Sequence, residues 1–159
     1  MQFIQEFPMR ILAKITPLFA FIFLAFSAHA QVQQMTPDEA YAKALAGEIV
    51  LIDIRTPEEW VETGLPDVAL QNNLYAPDFV QKLLAIRDQN PNTPLALICR
   101  TGNRSGNATG QLYQAGLTNV IDVVEGVAGS GVGPGWFARG LPVRVADAPV
   151  NVAIATLQP

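Results

Sequence analysis

The chain has little histidine and little cysteine, with one of each in 159 residues. A single cysteine cannot form a disulfide within the chain, so Cys99 is a buried hydrophobic residue, half of an intermolecular bridge or a free reactive thiol. The histidine, His29, lies in an N-terminal segment with the features of an export signal. Cleavage of that segment would leave no imidazole, which would exclude a Cys-His dyad, a Ser-His-Asp triad and a histidine metal site.

Residues 1–30 have the pattern of a secretory signal peptide. Arg10 and Lys14 precede an apolar run at residues 18–26, and Ala-His-Ala at residues 28–30 has the small-x-small form of a cleavage site. The alternative is an uncleaved membrane anchor, but the apolar run is about nine residues long, whereas a spanning helix needs about 20. We therefore expect an exported protein, periplasmic or secreted, that has no membrane attachment after cleavage.

Positive charge is also scarce, since 10 Lys and Arg residues face 14 Asp and Glu residues and the formal net charge is −4. Such a chain does not attract nucleic acid electrostatically. The glycine-rich stretch at residues 126–135 lacks the lysine of a P-loop and the strand-to-helix spacing of a dinucleotide site. The sequence therefore predicts no nucleic-acid partner, no cofactor and no metal.

Helical and buried-strand patterns alternate along the rest of the chain. Strands are predicted at residues 49–54, 68–71, 95–98, 120–124 and 141–143, and helices at residues 36–47, 56–60, 76–88, 105–117 and 136–140. Thr36 with Glu39 forms a capping-box pattern at the first helix, and Ser105 is the expected N-cap of the fourth. The alternation predicts an α/β three-layer sandwich around a mainly parallel sheet, in one domain at residues 31–145 followed by a tail at 146–159.

The cysteine follows the predicted strand at residues 95–98 and precedes a helix. Sites in parallel sheets form at the carboxyl ends of strands, and free amides at a helix N-terminus stabilise anions such as a thiolate. The two arginines of the loop add positive charge. The candidate site consists of Cys99 as the nucleophile and the anion-binding loop Arg100, Thr101, Gly102, Asn103, Arg104 and Ser105.

Three segments resemble the single-domain rhodanese sulfurtransferases: residues 51–60, residues 99–105, and the C-terminal group of residues 125–126, 136 and 140–143. The resemblance implies that Cys99 takes a sulfane sulfur from an anionic donor such as thiosulfate and holds it as a persulfide. The acceptor would be thiophilic, such as cyanide or a thiol, including a thiol on a protein. The resemblance also implies that Arg100 meets the donor and that Arg104 braces the loop against a carboxylate. Asp53 is the first candidate for that carboxylate, and its alternative is a purely structural role.

The chain departs from the family pattern in two places. Residues 64–69 read Gly-Leu-Pro-Asp-Val-Ala where many members have Gly-His-Ile-Pro-Gly-Ala, and the loop at residues 127–135 is longer and richer in glycine than usual. We expect the longer loop to reshape one wall of the pocket.

Two other functions are compatible with the same fold. A cysteine phosphatase or arsenate reductase would also use a cysteine-arginine loop, but phosphatase loops are one residue longer than the four residues between Cys99 and Arg104. The shorter loop favours a single sulfur over a phosphate group. A noncatalytic sulfur carrier or protein-interaction module would resemble the enzyme in this region and stays open as the alternative.

Overall fold

The computed structural model describes residues 32–146. The predicted signal peptide with His29, and all but the first residue of the predicted tail, lie outside the described residues. Residues 32–146 contain five helices: α1 (Pro37–Leu45), α2 (Pro57–Thr63), α3 (Phe79–Gln89), α4 (Asn103–Gln114) and α5 (Gly135–Ala138). The strands are β1 (Gln33–Met35), β2 (Val50–Asp53), β3 (Leu65–Pro66), β4 (Leu70–Gln71), β5 (Leu95–Ile98), β6 (Val120–Val123) and β7 (Val143–Arg144).

Five of these strands form one parallel sheet with the order β1-β6-β5-β2-β4. Side chains of β5 alternate between two apolar clusters, because successive residues of a strand point to opposite faces. Ala96 and Ile98 pack on the face that also contains Trp136 of α5, whereas Leu95 and Leu97 pack on the face of α3 and α4. Both faces of the sheet are therefore covered, which confirms the predicted three-layer α/β fold.

The first two helices begin as their sequences predict. Thr36 and Thr56 are N-caps in extended conformation, and each accepts a hydrogen bond from the amide three residues later. Glu39 and Glu59 return the contact by accepting from the N-cap amides, so both capping boxes are complete. These helix starts depend on residues within one turn, and for that reason they could be read from the sequence.

Three features differ from the prediction. The strand β1 was not expected, because its sequence Gln-Gln-Met has no apolar alternation and pairs with β6 through its backbone. The helix α4 begins two residues earlier than predicted, with Gly102 as its N-cap. The C-terminal strand β7 pairs in antiparallel fashion with β3, whose residues were not predicted as a strand. The strand β3 lies in the segment at residues 64–69 that departs from the family pattern.

Within the described range of 32–146, no helix is long and apolar enough to cross a membrane.

Candidate active site

Cys99 lies at the carboxyl end of β5, the middle strand of the sheet. The strand is entirely buried between β2 and β6, and the cysteine itself is 1% exposed. After three further residues the chain enters α4. The fold therefore places the thiol where the sequence predicts it, at a strand-to-helix junction.

Ser105 supplies two hydrogen-bond donors to the thiol. Its backbone N–H and its side-chain hydroxyl each lie 3.5 Å from the Cys99 Sγ. The amide belongs to the first turn of α4, where backbone donors have no partner within the helix and the helix dipole is positive. Sulfur carrying negative charge at this position is stabilised without an imidazole.

Ser105 is not the helix N-cap, contrary to the prediction. Gly102 occupies that position with φ of 88°, and a glycine has no side chain with which to cap the first turn. The Ser105 hydroxyl instead lies between the Cys99 Sγ and the carbonyl oxygen of Gly102, 3.1 Å away. The serine therefore contacts the sulfur through both groups, and its amide has the Cys99 Sγ as its acceptor in place of an N-cap side chain.

The backbone of the loop is held by the segment that follows β6. The amides of Val127 and Ala128 donate to the carbonyl oxygens of Cys99 and Arg100, at 2.9 and 2.8 Å. Two glycines permit this approach. A Cβ on Gly102 would lie 1.9 Å from the Val124 carbonyl oxygen, and a Cβ on Gly126 would lie 2.6 Å from the Arg100 backbone. Both glycines also have positive φ, so two separate constraints select glycine there.

The glycine-rich loop forms one wall of a cavity beside the cysteine loop, but Cys99 does not line this cavity, so the reshaping of the active-site pocket stays a prediction. The cavity has a volume of about 510 Å³, with residues 130–132 on one side, residues 101–103 on the other, and Asp122 among its lining. Glu125 fixes this wall, because its buried carboxylate accepts from the Gly135 amide and pairs with Arg139. The pairing with Arg139 lowers the pKa of Glu125.

Arg104 is braced by Glu59 and not by Asp53, which corrects the prediction. Its two terminal nitrogens donate to the two carboxylate oxygens of Glu59 at 2.7 and 2.6 Å. These hydrogen bonds lower the pKa of Glu59. Glu59 is also the acid of the α2 capping box, since one oxygen of its carboxylate accepts both from the Thr56 amide and from Arg104.

Asp53 binds Arg55 instead, so the structure assigns it the structural role that the sequence left as its alternative. The carboxylate is completely buried and pairs with the equally buried guanidinium at 2.7 Å. Arg55 also donates to the Thr63 hydroxyl and the Gly64 carbonyl, which ties the end of β2 to the end of α2. Burial raises the pKa of Asp53, while Arg55 opposes that effect. Because Arg55 lies only two residues from Asp53 in the chain, it is the arginine that pairs with this carboxylate.

The remaining loop residues differ in exposure. The Arg100 side chain is exposed, and in the described part of the chain it has no hydrogen bond or ion pair with another side chain. Asn103 is exposed as well, whereas Thr101 is half-buried. A free guanidinium next to a buried thiol is suited to bind an anion from solvent.

The site supports covalent chemistry on sulfur. Two donors aimed at one sulfur, a helix N-terminus and two arginines can stabilise a thiolate or the terminal sulfur of a persulfide. No group of three or more His, Cys, Asp or Glu side chains among residues 32–146 is arranged to hold a metal ion.

Comparisons of sequence and structure with known proteins agree on one family. The family model described as Rhodanese-like domain matches residues 36–129. Thiosulfate sulfurtransferase 16 of Arabidopsis thaliana is 33% identical over 113 residues, covering 66% of this chain and 87% of its own. The crystal structure of Rv0390 from M. tuberculosis aligns with a TM-score of 0.57 and 30% identity, covering 73% of this chain and 99% of its own. The polysulfide-sulfur transferase homodimer of Wolinella succinogenes aligns with a TM-score of 0.52 and 27% identity, covering 71% and 78%.

Proposed function

The chain belongs to the rhodanese-like domain family, whose model matches residues 36–129, and from this membership we propose that it is a sulfurtransferase that works through a persulfide on Cys99. The observation that carries the proposal is the arrangement of Ser105, whose amide and hydroxyl both lie 3.5 Å from the Cys99 Sγ at the start of α4. Similarity to thiosulfate and polysulfide-sulfur transferases supports a sulfane sulfur as the cargo.

In the first step the Cys99 thiolate attacks the outer sulfur of thiosulfate. A bond forms between the Sγ and that sulfur while the sulfur–sulfur bond of thiosulfate breaks, and sulfite leaves with the electron pair. The exposed Arg100 binds the anionic donor. The Ser105 amide and the positive end of α4 stabilise the negative charge on the persulfide.

In the second step a thiophilic acceptor removes the outer sulfur. Cyanide or a thiolate attacks that sulfur, the persulfide bond breaks, and Cys99 leaves as a thiolate. The same donors that stabilise the resting thiolate stabilise this leaving group, so the loop serves both steps. No cofactor, metal or imidazole takes part in this sequence of bond changes.

Export of the protein is a separate proposal. It is supported by the charged start, the apolar run at residues 18–26 and the small residues at 28–30. Expression of the full chain in a bacterial host, followed by cell fractionation and mass determination, tests it. We expect a periplasmic or secreted product that begins near Gln31. A membrane-bound product of full mass would instead establish an anchor.

Sulfur transfer is tested by incubating the protein with thiosulfate, determining the intact mass, and then adding cyanide. We expect one added sulfur on the wild type, release of thiocyanate, and neither result for Cys99→Ser. A persulfide without thiocyanate would favour a dedicated sulfur carrier. Absence of both in the wild type would refute the transferase, and turnover of p-nitrophenyl phosphate that depends on Cys99 would favour the phosphatase.

A further inference from the structure

The cavity beside the cysteine loop contains a buried acid that the proposed sulfur transfer does not use. Its volume of about 510 Å³ lies within the range of small-molecule sites. Asp122 of β6 is among the lining residues and is 4% exposed, and its Oδ1 has no hydrogen-bond partner within residues 32–146. A buried carboxylate oxygen without a partner is costly, which indicates that a group from outside the chain supplies the partner.

Asp122 lies on the face of the sheet that α4 covers. Ile121 and Val123 pack into the cluster on the opposite face, and successive residues of a strand point to opposite sides. A Cβ added to Gly106 of α4 would be 3.2 Å from the Asp122 Oδ2, so a larger residue there would crowd the carboxylate. Gln34 is the register partner of Asp122 in the pairing of β1 with β6, and its side chain therefore lies on the same face.

No cation of the described residues neutralises Asp122. None of the ion pairs among residues 32–146 includes it, and Arg104, the cation of α4, is paired with Glu59. Asp122 is also the one member of the cavity lining that can carry a formal charge. Burial raises the pKa of Asp122, and a cation bound beside the carboxylate would favour its ionised form. The charge of this cavity therefore favours a cationic ligand.

The rest of the lining suits an organic ammonium ion. An ammonium group has three N–H donors, of which a carboxylate takes one or two and neutral oxygens can take the others. Four uncharged side chains of the lining carry such oxygens: Gln34, Thr101, Asn103 and Ser130. The lining also includes Val124 and Val132, which can contact a short carbon chain. A divalent metal ion would need more ligands than the one carboxylate that this lining provides.

We propose that this cavity is a binding site for a small organic ammonium ion. The ammonium group donates to the Asp122 carboxylate and to the neutral oxygens around it, and the carbon chain of the ligand extends toward Val132. Residues 101–103 form one side of the cavity, whereas Cys99 is not part of its lining. The site is therefore separate from the sulfur chemistry, and the proposal does not rest on sulfur transfer.

Binding can be measured by titrating the isotope-labelled protein with n-butylamine and following the backbone amide signals of Asn103 and Gly131 by NMR. The amine is protonated at neutral pH, as a lysine side chain is. Neutral n-butanol and anionic butyrate are probes of matched size. We expect saturable shifts of these two signals with butylamine, much weaker binding of butanol, and no binding of butyrate.

Asp122→Asn keeps the shape of the side chain and removes its charge. We expect it to weaken butylamine binding by about tenfold, because a charge-assisted hydrogen bond is lost. Asp67→Asn makes the same change at an exposed position outside the cavity lining and should give the wild-type affinity.

A second pair of variants changes the edge of the cavity without touching a buried residue. Val132 lines the cavity and is 70% exposed, whereas Val145 is 85% exposed and is not part of the lining. Val132→Lys places an ammonium group of the protein at this edge and should weaken butylamine binding severalfold at low salt, and Val145→Lys should not.

Three results would overturn the proposal. The first is the absence of a saturable shift with butylamine in the wild type. The second is an affinity for butylamine that is the same in Asp122→Asn and in the wild type. The third is binding of butanol as strong as that of butylamine, which would mean that the cavity does not select a cation. If Asp122→Asn does not fold, the two lysine variants decide, and equal affinities in them would refute the site.

Discussion

The carboxylate of Glu59 joins the first turn of α2 to the cysteine loop by binding Arg104. One oxygen accepts from the Thr56 amide at 3.1 Å and from Arg104 at 2.7 Å, and the other accepts from Arg104 at 2.6 Å. Both side chains are largely buried, with exposed fractions of 16% and 23%. The pair holds the second residue of α4 and thereby orients the amides that face the Cys99 sulfur.

We expect Glu59→Gln to lower the free energy of unfolding by about 1–2 kcal/mol at neutral pH, because it removes a charge-assisted pair. The thiosulfate-to-cyanide rate should fall with it. Arg104 lowers the pKa of Glu59, so the stabilisation is present above the unfolded pKa and is lost as the pH falls through the folded pKa. Urea denaturation at neutral and acidic pH should show a difference that disappears in acid.

Glu58→Gln is the control for that substitution. The two glutamates are adjacent in the first turn of α2, but Glu58 is exposed and has no contact with Arg104. Its replacement should leave sulfur transfer unchanged. Equal losses from the two variants would mean that acidity in the helix start, and not the contact with Arg104, is what matters.

The relation between Glu59 and Arg104 also marks the limit of what the sequence predicts. The Thr-Pro starts of α1 and α2 are specified by neighbouring residues, and the buried strand before Cys99 is specified by its apolar run. Arg104 finds its partner 45 residues away on another helix. Asp53 and Glu59 are both acids close to the end of β2, and only the path of the chain shows that Arg55 binds the first of them.

Other features could not be predicted from the sequence, each for a different physical reason. The polar strand β1 forms by backbone pairing with β6, which leaves no apolar signal in its own residues. Asp122 is predicted as part of a buried strand, but its position against Gly106 depends on how α4 crosses β6. The sequence places Gly102 in the cysteine loop, whereas its close approach to Val124 depends on a segment that is distant in the sequence.

Gly102→Ala should lower the free energy of unfolding by more than about 2 kcal/mol, because a side chain there requires backbone displacement. The added Cβ would lie 1.9 Å from the Val124 carbonyl oxygen, at a residue with φ of 88°. Sulfur transfer should fall further than stability explains, because the displaced loop carries the donors to Cys99. Denaturation and the rate per folded molecule measure the two effects.

Gly110→Ala provides the matched glycine substitution. Gly110 lies inside α4 and a Cβ there would meet nothing within 4 Å. Alanine should raise stability by about 0.5–1 kcal/mol through its higher helix propensity and leave the rate unchanged. A Gly102→Ala protein as stable and active as the wild type would show that the loop can relax away from β6.

Replacing Asp53 tests its structural role. Asp53→Asn should lower the free energy of unfolding by about 3–5 kcal/mol, because it leaves the guanidinium of Arg55 buried without a counter-charge. Exchange of Asp53 and Arg55 together for leucine should destabilise the protein less than Asp53→Asn alone. The rate of sulfur transfer per folded molecule should stay near the wild-type value. If a stable Asp53→Asn protein lost only its rate of sulfur transfer, Asp53 would have a role in the active site.

Arg100→Ala tests the binding of the anionic donor. The Arg100 side chain is exposed and has no hydrogen-bonding side chain around it in the described range, so its removal should leave the free energy of unfolding unchanged within about 0.5 kcal/mol. The KM for thiosulfate should rise by about tenfold, since one charge-assisted contact to the anion is lost. The effect should shrink at high salt, where exposed charges are screened.

Arg87→Ala, which removes an exposed arginine from α3, is the control for net charge and should leave KM unchanged. A fall in kcat at constant KM would mean that Arg100 acts on the persulfide step and not on donor binding.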